Sequence, residues 1–145
     1  MTDRRCFLTH FILCLGIAAG AFLAWVAGLP AMIWAADASH MTSAIAALFV
    51  VAAFWIGRQA WSVGPDTSTT FGHLTVRLSP MLGILGTAVG LSMQAASLAA
   101  GATSFVALAT SLYTTACGML AALLLELLTH NLETGIEKAR RHESA

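Results

Sequence analysis

From Cys6 to Ala36 the chain carries no Asp, Glu, Lys or Arg. That single run limits what the protein can fold into. A backbone in hydrocarbon has no water to satisfy its N–H and C=O groups, so so apolar a segment is stable as a helix that satisfies them internally. His10 is the one titratable side chain in the run apart from Cys6 and Cys14. The run is roughly twice the 7–15-residue core of a secretory signal, so a retained span is expected in spite of the small residues at Ala35-Ala-Asp-Ala-Ser-His40. Composition agrees: 58% of residues are hydrophobic and 10% charged, where soluble domains carry about 25% charged residues. The expected class is an all-α, polytopic membrane protein.

Three further apolar stretches follow. Met41 to Ile56 is extendable past Arg58 to Val63 if the arginine head reaches the interface. Gly64-Pro-Asp-Thr-Ser-Thr-Thr70 is the clearest break in the chain. Ser79-Pro80 then has the form of a helix start, with proline in the first turn, and the third span is expected to run to about Ala100. Gly101-Ala-Thr-Ser104 is a turn too short for a domain, so the third and fourth spans form an antiparallel hairpin. The fourth runs from Phe105 to about Leu128 and can continue as a soluble helix, with Glu137 and Arg141 as an i,i+4 pair. The expected organisation is an N-terminal helix pair (1–64), a short cytoplasmic loop (65–78), the hairpin (79–131) and a cytoplasmic tail (132–145). All seven Lys and Arg residues (Arg4, Arg5, Arg58, Arg77, Lys138, Arg140, Arg141) fall on one side of such a four-span chain. The positive-inside rule then places both termini and the middle loop in the cytoplasm, with Asp37 and Gly101 outside. Trp34 and Trp61 fall where interfacial aromatics belong.

Within the hairpin two stripes stand out. Ser79, Gly83, Thr87, Gly90 and Gln94 share one face of the third helix; Ser111, Thr115, Gly118, Ala122, Glu126 and Thr129 share one face of the fourth, beside a row of Thr110, Thr114, Cys117 and Ala121. Two readings of these stripes stand. Gly83, Gly86, Gly90 and Gly118 allow close helix packing, with hydroxyls forming modest interhelical hydrogen bonds. Alternatively, Thr87, Thr115, Thr114, Ser111 and Thr110 line a wet, uncharged path for ions or protons. Glu126, the one acid in an apolar run, is either an interfacial carboxylate or a proton waypoint at the inner mouth. The cysteines have no paired spacing and read as small packing residues. The basic residues form no stripe with interleaved aromatics, which argues against nucleic acid. No phosphate loop, nucleophile elbow or His-Glu-x-x-His motif is present, and Glu126 with His130 makes a poor metal site. No enzymatic activity, cofactor or metal is expected.

Ser79-Pro-Met-Leu-Gly-Ile-Leu-Gly-Thr-Ala-Val-Gly90 resembles the A/S-P-L-L-G-L-L-G-T-V-x-G segment of the MotA/TolQ/ExbB proton channel family. Leu108-Ala-Thr-Ser-Leu-Tyr-Thr-Thr-Ala-Cys-Gly-Met-Leu-Ala-Ala122 resembles the helix that follows it there, I-x-x-A-L-x-T-T-A-x-G-L-x-A-A. The resemblance covers residues 79–131. It implies a homo-oligomer, a pentamer, around a single-span ExbD/TolR/MotB-like subunit whose membrane aspartate carries protons. It also implies pore hydroxyls at Thr87 and Thr115, a bacterial inner-membrane location, and coupling of proton motive force to mechanical work. There are departures. Thr110 stands where the TolQ/ExbB branch has glutamate, Leu124 where it has proline, and Glu126 is extra. The large cytoplasmic domain of MotA has no counterpart in the short middle loop, so a flagellar role is not expected. The rival reading is a holin-like or scaffold oligomer without a motor role.

Overall fold

The computed structural model describes residues 4–101 and 104–143. Ala102 and Thr103 of the expected turn lie outside them. Five helices make up the described chain: α1 (Arg4–Val26), α2 (Leu29–Ala36), α3 (Met41–Trp61), α4 (Thr70–Ala99) and α5 (Phe105–Glu143). Four of them, all but α2, have the length and apolar character to cross a membrane. The architecture is therefore all-helical with four candidate spans, and α4 packs closely against α5, its antiparallel neighbour.

Two boundaries differ from the sequence reading. The first apolar run is not one helix to Ala36. It breaks at Gly28, whose φ of 76° is left-handed and suits glycine. Pro30 then sits in the first turn of α2, where no intrahelical donor is needed. The third span begins at Thr70 instead of Ser79, which leaves Pro80 inside the helix. Proline removes one backbone hydrogen bond there, and two side chains just before it add bonds to the same turn. Ser79 Oγ donates to the Thr75 carbonyl at 2.9 Å, and Thr75 Oγ1 donates to that of Gly72 at 2.8 Å. Packing along α5 outweighs the local signal to start at the proline.

The α4–α5 seam is built from small residues. Gly72, Thr75, Ser79, Gly83, Gly86 and Gly90 are buried on α4. They meet Ser111, Thr114, Gly118 and neighbouring residues of α5. Gly118 marks a point of close approach: a Cβ added there would lie 2.7 Å from the Ser79 carbonyl oxygen and 3.0 Å from Gly83 Cα. At Gly83 it would meet the Thr114 carbonyl oxygen at 2.9 Å, and at Gly86 the Thr114 side chain at 2.6 Å. Backbone cannot move aside as a side chain can, so Gly83 and Gly118 are the crossings where a Cβ is hardest to place, whereas at Gly86 the neighbour is a side chain.

A second core lies where α1, α3 and α5 converge. Cys6, Ala52, Ile56, Ala60 and Val63 are buried with Leu125, Leu128, Leu132 and Ile136. Phe7 stacks edge-on against Trp61 at 4.6 Å, and Asn131 Nδ2 donates to the Cys6 carbonyl at 3.1 Å. Beyond this end the Gly16 and Gly20 face of α1 is open, with nothing within 4 Å of an added Cβ, while Leu13, Cys14 and Ile17 still pack on the core. An apolar groove of about 510 Å³ opens there between α1, α3 and α5. Large side chains such as Phe22, Trp25, Phe54 and Leu123 point outward, as expected of a surface that faces lipid or other subunits.

The α2–α3 turn is held by one carboxylate. Asp37 is 2% exposed. Its Oδ1 accepts from the Ser39 N–H at 3.0 Å and the Ser39 hydroxyl at 2.6 Å; its Oδ2 accepts from the Thr42 N–H at 2.8 Å and from the Thr42 hydroxyl. Thr42 is in the first turn of α3, so Asp37 satisfies an amide that helix geometry leaves unpaired. Burial pushes this carboxyl up, but the Ser39 and Thr42 hydrogen bonds outweigh burial and hold it below the usual carboxylate range.

Two outcomes follow for stability. Gly118→Ala should cost about 1–3 kcal/mol by overfilling the seam, whereas Gly20→Ala should leave thermal unfolding in detergent unchanged. Asp37→Ala should lower stability by about 1–2 kcal/mol at neutral pH. A depressed carboxyl stabilises above its unfolded value and loses that contribution as pH falls through its folded value. The gap between wild type and Asp37→Ala should therefore narrow below about pH 4, as followed by circular dichroism.

Candidate functional site

Each step along a helix turns a side chain by about 100°. A residue that directly follows a buried seam residue is therefore rotated toward one edge of the hairpin. Because α4 and α5 are antiparallel, this is the same edge for both. On α4, His73 follows Gly72, Pro80 follows Ser79 and Thr87 follows Gly86. On α5, Thr115 follows Thr114, Ala122 follows Ala121, Glu126 follows Leu125 and Glu133 follows Leu132. The first member of each couple is buried, while the second is partly or fully accessible. The folding that buries the small-residue seam thus sets out a row of polar groups beside it.

Two side-chain-to-side-chain hydrogen bonds bridge the helices along this edge. Thr87 Oγ1 bonds Thr115 Oγ1. The Thr87 hydroxyl is also within reach of the Gly83 carbonyl (3.0 Å) and the Ser111 carbonyl (3.2 Å), and Thr115 Oγ1 donates to the Ser111 carbonyl at 2.8 Å. Each hydroxyl has one proton and two lone pairs, so the pair keeps acceptor capacity for a further partner. About four turns away along α4 and five along α5, His73 Nε2 lies 2.7 Å from Glu133 Oε1. Those side chains are 43% and 38% exposed, so neither is enclosed by the chain's own helices. Glu126 lies between the two bridges, exposed and without a salt bridge among the described residues. It forms no bond to His130, its neighbour one turn on. Toward the other end of α4, Gln94 has a buried Oε1 with no hydrogen-bond partner among the described residues.

The remaining candidates sit elsewhere on the hairpin. Thr110 is fully buried and faces the α2–α3 turn: its hydroxyl donates to the Ala36 carbonyl at 2.7 Å and accepts from the Ala38 N–H at 3.3 Å. Thr114 is buried against Gly86, and its hydroxyl donates back to the Thr110 carbonyl at 2.8 Å. Ser111 lies in the seam, its hydroxyl within reach of the Ala107 carbonyl (3.2 Å) and the Thr87 carbonyl (3.3 Å). The structure thus brings Thr87, Thr115 and Glu126 to one edge, with Ser111 directly behind them. It places Thr110 and Thr114 on the side toward α2 and α3. Gly83, Gly86, Gly90 and Gly118 all lie at the seam.

Sequence reasoning missed the His73–Glu133 bridge. The signal was available as spacing, since Glu133 falls about five turns after Thr115 on one helix face. Expecting the third span to begin at Ser79 left His73 in a loop and hid its counterpart. The Asp37 turn is hidden for a similar reason, because in the sequence Thr42 falls inside the apolar run from Met41 to Ile56.

Hydroxyl, carboxylate and imidazole groups in one row can pass protons or bind a protonatable partner, and they add little fixed charge. Among the described residues no three metal-ligating side chains cluster. No curated protein and no solved structure matches the chain. A family comparison does: the MotA/TolQ/ExbB proton channel family matches residues 66–143, which takes in the whole of α4 and α5 and every residue of the polar edge. With more than half of its length matched and four helices able to span a bilayer, the chain is a multi-pass membrane protein that belongs to the MotA/TolQ/ExbB proton channel family.

Proposed function

We propose that this chain is the proton-conducting, non-enzymatic subunit of a bacterial inner-membrane complex that couples proton motive force to mechanical work. Its copies, five by family resemblance, surround a single-span subunit with a membrane aspartate, and both termini lie in the cytoplasm. The observation that carries this reading is the Thr87–Thr115 bridge on the open edge of the hairpin. The other side of the seam is taken up by the protein's own α2–α3 turn, through Thr110, and by α3, through the core of Ile56 and Ala60 with Leu125 and Leu128. The Thr87–Thr115 edge is the side left for another chain.

A neutral hydroxyl suits that position. It can hydrogen-bond a partner's carboxylate or a water in either protonation state. A fixed charge at the same place would trap the proton or repel the ionised partner. Glu126, further along the same edge, receives or delivers the proton at the mouth.

Replacing Thr87 or Thr115 with Val keeps the shape and removes the hydroxyl. Both variants should assemble with the partner, and proton flux in vesicles holding the complex should fall severalfold. Glu126→Gln should have a smaller effect. Wild-type flux from both Val variants would leave the hydroxyls as packing residues and overturn the proposed path.

A further inference from the structure

The His73–Glu133 bridge is a second polar contact between α4 and α5 on the edge that holds Thr87 and Thr115. Resting on the proton-conduction reading, we propose that it is the station where the path exchanges protons with water at the tail end of the hairpin. Position is the first argument. The bridge lies about 21 Å from the threonine pair along α4 and about 27 Å along α5. The hydrocarbon core of a bilayer is about 30 Å thick. With the threonine pair at mid-depth, about 15 Å from either face of the core, a pair this far along, in the stretch of α4 and α5 where charged residues gather, stands outside the hydrocarbon.

Chemistry is the second argument. Imidazole is the side chain whose protonation changes near neutral pH, and here it shares a 2.7 Å hydrogen bond with a carboxylate. Loaded with a proton, the couple is an imidazolium–carboxylate pair of zero net charge; unloaded, it carries one negative charge. A proton leaving Glu126 is taken up by this pair through water and then passed to bulk solvent. No other bond changes.

The surroundings are the third argument. Thr129, one turn before Glu133, lies against Gly72, 2.7 Å from where a Cβ would be. Its hydroxyl is buried with no hydrogen-bond partner among the described residues, so an uncommitted polar group stands behind the bridge. Nearest along these elements are Arg77 on α4 and Glu126, His130, Glu137 and Lys138 on α5, with Arg140, Arg141 and Glu143 further along α5. The segment before α4 adds Asp66, and α3 adds Arg58. Arg141 pairs with Glu137, and among the described residues no ion pair joins the other groups to the bridge.

The test uses the complex purified with its native partner, reconstituted in liposomes with an entrapped pH dye, with pH varied on the tail side. Wild-type flux should show an inflection as the tail-side pH is varied. His73→Gln and Glu133→Gln should assemble, lose the inflection and conduct severalfold more slowly. A flat wild-type profile, or variants with the wild-type rate and inflection, overturns the inference. If Thr115→Val stops flux while both Gln variants leave it unchanged, conduction stands and the bridge is only a strut. A wild-type complex that passes no protons overturns both readings together. Should the Gln variants not assemble, the exchanged pair His73→Glu/Glu133→His keeps both groups. Assembly with the inflection then supports the station, and failure to assemble or a flat profile overturns it.

Discussion

The contact on which the rest depends is backbone against backbone, where Gly118 meets the Ser79 carbonyl and Gly83 Cα. In lipid there is no hydrophobic gain from pressing two apolar helices together, because the tails are as apolar as leucine. Association rests instead on dispersion at short range and on hydrogen bonds between helices. Both need close approach, which the glycines supply. The Thr87–Thr115 bond spans the helices only because the backbones beside it are nearly touching. One side chain inserted at the crossing would separate the hydroxyls as well as the helices.

Much of this was legible in the sequence, for a physical reason. Charge-free runs such as Cys6–Ala36 and the 4, 4, 3, 4 spacing of Ser79, Gly83, Thr87, Gly90 and Gln94 are local signals, and the lipid environment amplifies them. The helical class and the contact of α4 with α5 follow directly. What escaped was set by tertiary context. Pro80 carries a strong local start signal, yet packing against α5 extends the helix back to Thr70. Gly28 and Pro30 sit inside a charge-free run, yet their backbone preferences together make a break. The hydroxyls of one row look alike on paper, but Thr110 is bound to the α2–α3 turn while Thr115 faces the open edge. Which side of a seam a threonine takes is settled by what packs on the other side. His73 and Glu133 are far apart in the chain and meet only once both helices run past the apolar region.

The distribution of polarity is economical. Asp37 is buried, but four hydrogen bonds from Ser39 and Thr42 surround it, so no charge is left without partners. The polar edge uses the opposite solution: neutral hydroxyls at the depth of the glycine seam, and ionisable groups only toward the end where water reaches them. Desolvation explains the order, since an isolated charge far from water costs far more than a hydroxyl.

The two hairpin helices differ in stiffness. α5 is one unbroken helix of 39 residues with no proline, whereas α4 lacks a backbone hydrogen bond at Pro80. For a straight rod pivoting at Gly118, a tilt of roughly 10° corresponds to about 7 Å at the far end of α5, about 38 Å away. Arg140, whose Nε donates to the Pro65 carbonyl at 3.1 Å, rides on that end and draws the segment before α4 with it. Leu125, Leu128, Leu132 and Ile136 hold that half of α5 against α1 and α3. Any tilt that changes the spacing beside the threonines therefore takes this core with it, and α4, short of one backbone hydrogen bond at Pro80, is the compliant partner.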